Sequence, residues 1–78
     1  MYEVNKVNKL ITDQSVLIYK TKRNETIKCY ISSFENNTAS IVVYAPSKLN
    51  DFQIWNVDLT DLMNNSNITN QKASWGGR

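Results

Sequence analysis

The chain has no histidine, one cysteine (Cys29), one proline (Pro46) and two glycines, adjacent at Gly76 and Gly77. Each scarcity removes chemistry. Without histidine there is no Ser-His or Cys-His nucleophile pair and no imidazole metal ligand. Without glycine before residue 76, no Gly-rich phosphate loop can be drawn. A lone cysteine forms no internal disulfide, which suits a reducing compartment, so a cytoplasmic protein is expected. No run approaches the roughly 18–20 apolar residues of a membrane span and no leader pattern is visible, so no membrane partner is expected. Cys29 falls mid-strand with no base to activate it and reads as a small core residue. An enzyme, a metal and a cofactor are all unexpected.

What remains is a small globular chain. Seventy-eight residues make one domain, and 41% apolar with 21% charged residues is outside the disordered range. Four glycosylation-type triplets, at Asn24, Asn36, Asn64 and Asn67, follow from the abundance of asparagine (eleven residues) and are not read as modification sites. The net charge is only +2, yet Lys20, Lys22, Arg23 and Lys28 place four of the nine basic residues within nine positions. Lys6 and Lys9 form a smaller cluster upstream, and the acids are scattered. A local basic patch suits a polyanion. A solvated hairpin tip explains the same residues equally well.

Periodicity supplies the elements. Val4, Val7 and Ile11 share one helical face near the start, and a helix this short needs something to lie on. From Val16 the residues become β-branched and aromatic, and residues 22–25 read as a hairpin turn. Residues 26–34 alternate, with Ile27, Cys29, Ile31 and Ser33 on one face and Lys28, Tyr30, Ser32 and Phe34 on the other. Residues 35–38 form a second turn, in which asparagine suits left-handed positions. A strand rich in valine and isoleucine then runs to Pro46, which ends it.

Residues 52–57 alternate again, with Trp55 expected in the core or a subunit interface. Residues 58–63 fit either a short final strand or a helical turn capped by Asp58. Beyond Met63 apolar content collapses, so residues 64–78 are expected to be a flexible tail with an exposed Trp75, leaving residues 1–63 as the domain. The expected fold is mainly β: a short N-terminal helix followed by a strongly bent five-stranded antiparallel barrel. Its open strand edges invite pairing between subunits.

The order of these elements resembles a known family. A helix, then V-L-I-Y-K-T-K-R-N-E-T-I-K-C-Y-I-S-S-F-E, a valine-rich strand and F-Q-I-W-N-V-D-L are similar to the bacterial Sm-like (Hfq) proteins. The segment Ile27-Lys28-Cys29-Tyr30-Ile31-Ser32-Ser33-Phe34-Glu35 stands where that family has L-x-G-x-I-x-x-F-D. The stretch V-N-K-L-I-T-D-Q-S-V and the later I-W look most like its divergent cyanobacterial branch. The resemblance spans residues 4–62 and implies an Sm-like (SH3-like) barrel in a homohexameric ring that binds single-stranded RNA on its faces.

Carried over residue by residue, it places Tyr19 at a base-stacking position of the distal face, with Lys20, Lys22, Arg23 and Lys28 as its cations. Lys6 and Lys9 fall on the rim. Asn56 and Val57 stand where the family's uridine pocket has a Lys-His pair, so that pocket is altered. Glycine is replaced by Cys29, the first turn is longer, and the loop at residues 45–51 is long for the family. The implied function is post-transcriptional regulation by an RNA-binding ring. The alternative is a ring or barrel of the same kind acting as a protein-interaction module, with a protein partner in place of RNA.

Overall fold

The computed structural model describes residues 4–76. Helix α1 (Val4–Asp13) leads into strand β1 (Ser15–Lys20), followed by β2 (Thr26–Glu35), β3 (Thr38–Tyr44), β4 (Phe52–Asp58), a short helix α2 (Leu59–Asn64) and β5 (Ser66–Lys72). All pairings are antiparallel, in the order β4-β3-β2-β1-β5. The expected mainly β fold, one helix and five antiparallel strands, is therefore present. The sheet is open: β4 and β5 are its two edges.

Of the two conformations open to residues 58–63, the chain adopts the helical turn: the Asp58 carboxylate accepts a hydrogen bond from the Asp61 N–H at 2.9 Å and caps α2. The fifth strand comes instead from the segment expected to be a flexible tail. Ser66–Lys72 pairs along β1, with Leu17 opposite Ile68 and Ile18 opposite Asn67. Residues 77–78 of that expected tail, like residues 1–3 of the expected domain, lie outside the described residues.

Apolar content does not register a strand of this kind. An edge strand is held by its ladder, and here the Thr69 hydroxyl also donates to the Val16 carbonyl at 2.9 Å where the register shifts.

The turns work without glycine. Asn24 and Asn36 take positive φ (68° and 56°), as their type permits. In the first hairpin the Thr21 hydroxyl accepts from the N–H groups of Arg23 and Glu25, and the Thr21 N–H donates to the Glu25 carbonyl at 2.8 Å. Gln14, also at positive φ (51°), ends α1 and turns the chain into β1.

The main core lies between the inner face of the sheet and the two helices. Leu17, Tyr19, Cys29, Ile31, Ile41 and Val43 meet Val7 and Leu10 of α1 and Leu59 and Leu62 of α2. The helix lies down on Val7 and Leu10, while Val4, expected on the buried stripe, is half exposed. A bulge between Ile31 and Ser33 reverses the alternation of β2, so Phe34 joins the core side and Ser33 faces out, against the simple parity of the sequence.

A second, smaller core lies on the outer face. Val16, Tyr30 and Val42 form a row across β1, β2 and β3 and are covered by Ala73 and Trp75. Trp75 is 7% exposed, which corrects its expected exposure. The Ala73 N–H donates to the Gln14 carbonyl at 2.9 Å, and the Trp75 indole donates to the Val42 carbonyl at 3.1 Å. The Tyr30 hydroxyl donates to the Trp75 carbonyl at 3.1 Å. At Gly76 φ is +106° and the backbone runs against the Tyr30 hydroxyl, so a side chain there would be strained and would clash. Residues 73–76 are thus a strap fastened to the sheet.

Candidate nucleic-acid interface

The stacking residue expected from the sequence is not available. Tyr19 points inward from β1, is 4% exposed, and donates its hydroxyl to the Asp61 carboxylate of α2. Burial, then the hydrogen bond and charge of Asp61, push its pKa up to about 12. Tyr19 is therefore a core tyrosine with a satisfied hydroxyl, and the distal-face role expected for it is withdrawn. Its position on the strand decides this: Leu17 and Tyr19 share the core-facing parity, and Ile18 and Lys20 the other.

The cations are where a polyanion can reach them. Lys20, Lys22, Arg23 and Lys28 are all exposed. Ile18 pairs with Lys28 and Lys20 with Thr26, so Lys20 and Lys28 share the outer face, with Lys22 and Arg23 at the hairpin tip. The only ion pair among the described residues joins Lys9 to Asp13 at 3.1 Å, one helical turn apart and largely in water. Lys6 and Lys9 line a groove of about 560 Å³ between α1 and β5, together with Leu10, Ile68 and Lys72.

Asn56 and Val57 part company. Asn56 is exposed on β4 opposite Ser40, in a shallow depression of about 410 Å³ beside Ser33, Ser40 and Glu35. Val57 is half-buried against the main core and offers nothing to a ligand. Glu35 is the only charged residue lining that depression, so it lacks the cation that a phosphate-bearing ligand would need.

A cleft of about 270 Å³ opens on the outer face. It lies where Lys28, Tyr44, Lys72 and Trp75 converge around Val16. The ladder that pairs Cys29 with Val43 carries Tyr44 to the flank of Lys28. Tyr44 is 46% exposed, and its ring meets Trp75 at 5.3 Å between centroids, tilted by 58°. No acidic residue lines the cleft. Nothing in the linear sequence joins residues 28, 44, 72 and 75, because the pairing of β5 with β1 places Lys72 and the strap places Trp75. A comparison of the chain with family models, curated proteins and solved structures finds no match.

Proposed function

We infer that this protein is an Sm-like, edge-pairing ring protein that binds single-stranded RNA, without covalent chemistry, in post-transcriptional regulation. The observation that carries the reading is the open sheet. One small domain presents two bare strand edges, β4 and β5, at opposite ends of one five-stranded order. Exposed apolar side chains accompany both, Ile54 on β4 and Ile68 on β5. A β4 edge can pair with the β5 edge of the next copy, and that head-to-tail contact closes into a ring. Repetition of Lys20, Lys22, Arg23 and Lys28 around such a ring supports RNA binding, since weak sites on one scaffold gain avidity. The family resemblance points the same way and makes a homohexamer the expected size. The burial of Tyr19 and the absence of a cation beside Asn56 leave the outer face as the binding surface.

A second reading has its own observation. Leu49 is 93% exposed at the tip of the loop before β4, and Ile54 is 62% exposed. Such apolar side chains suit a protein partner, which would make the assembly an interaction module. One experiment separates the readings: light-scattering mass in solution, with labelled oligo-A and oligo-U titrated into the same sample across salt. A sixfold mass with RNA affinity falling steeply with salt supports the ring-and-RNA reading. A ring that binds neither oligonucleotide transfers the function to the interaction module. A monomer removes the ring.

A further inference from the structure

The outer-face cleft combines features that the basic hairpin alone does not have. Two lysines, Lys28 and Lys72, line it from different strands, and neither has an ion-pair partner among the described residues. Like charges converging on one cavity without an acid call for a negative occupant. Tyr44 adds an exposed aromatic surface, held in place by its contact with Trp75. Trp75 itself is fixed by its indole hydrogen bond to Val42 and by the hydrogen bond its carbonyl accepts from Tyr30. The aromatic wall is therefore preorganised, which limits the ordering cost of binding. An occupant that is both anionic and planar matches this wall and these charges.

We propose that the cleft holds one nucleotide of a single RNA strand, its base against the exposed part of the Tyr44 ring and its phosphate between Lys28 and Lys72. The assignment rests on the RNA-binding reading above and deepens it by naming the site. The C-terminal strap is then part of the binding surface, since it supplies Trp75, while β5 places Lys72 beside it through its pairing with β1. Stacking makes the site tolerant of base identity, because every base has a flat face.

The test uses the two tryptophans. A Trp55→Phe variant leaves Trp75 as the single indole reporter of the full chain. Titrating it with fluorescein-labelled oligo-A should quench Trp75 emission in step with the rise in anisotropy. In the same background Tyr44→Ala should weaken binding roughly tenfold. Lys28→Gln and Lys72→Gln should each weaken it and flatten the plot of log affinity against log salt by about 0.7. The two lysine variants alter exposed side chains and leave the hydrophobic cover intact, so they decide the matter if Tyr44→Ala loosens the strap.

RNA binding that leaves Trp75 emission unchanged, with the lysine variants binding as the parent does, would overturn the cleft while leaving RNA binding in place. Polyphosphate that competes as well as oligo-A, together with an inert Tyr44→Ala, would reduce the cleft to a plain anion site and overturn the stacked nucleotide. Absence of any RNA binding by the unaltered protein would overturn both readings.

Discussion

Two buried ionisable groups, Tyr19 and Cys29, hold their protons in the folded protein. Cys29 is fully buried in β2, and burial pushes its thiol from 9.0 up to about 12. Tyr19 moves from 10.0 to about 12, mainly through burial and then through Asp61. In both cases the folded state binds the proton more tightly than the unfolded chain. The associated stability is therefore intact below the unfolded values and is lost as pH rises toward 12. Urea unfolding followed across alkaline pH should show the midpoint falling from about pH 9 upward, and Tyr19→Phe should remove the part of that fall that begins near 10. The same substitution deletes the hydrogen bond to Asp61 and should cost about 1–2 kcal/mol at neutral pH. Native Cys29 should resist a thiol reagent at pH 8 and react only as fast as the protein opens, measured by absorbance of the released chromophore.

Among the elements, α2 and the C-terminal segment decide whether the sheet is complete. Asp58 caps α2, so Asp58→Ala should destabilise the protein by about 1 kcal/mol, read from the urea midpoint. The test of the tail is sharper. Truncation after Asn64 removes β5 and the strap, exposing the β1 edge and the row Val16, Tyr30 and Val42. A flexible tail would be lost without consequence; here the truncated chain should fail to show a cooperative thermal transition. Trp75→Ala, a milder change, should cost about 3 kcal/mol by leaving a cavity on the outer face.

At the scale of the whole molecule, the open sheet is the feature with consequences. Ile54 and Ile68 are exposed at 62% and 43% and contribute little to the isolated subunit's core. The proposed edge pairing therefore predicts that Ile54→Glu combined with Ile68→Glu brings the mass seen by light scattering to that of one chain, with circular dichroism unchanged. Both edges must remain bare in the subunit for this: among the described residues β4 pairs with β3 alone, and β5 with β1 alone. The described residues include no helix long and apolar enough to cross a membrane.

By itself the sequence determined the elements whose signals are local. The spacing of three and then four at Val4, Val7 and Ile11 specified a helix. β-branched and aromatic runs specified β1 to β4, asparagines specified the turns, and Pro46 specified a strand end. Tertiary structure decided whatever depends on a distant partner. Between the strand and the Asp58-capped turn that the sequence of residues 58–63 allows equally, the core decided by accepting Leu59 and Leu62 from a helix. Polar residues 66–72 became a strand because β1 offered backbone groups that had to be satisfied. The fate of Tyr19 turned on strand parity against a core that α1 and α2 complete, and the bulge in β2 then sent Phe34 inward. The candidate cleft is the extreme case. Lys28, Tyr44, Lys72 and Trp75 converge only because β5 pairs along β1 and a strap with no periodic signal is held across the sheet by three hydrogen bonds and one buried indole.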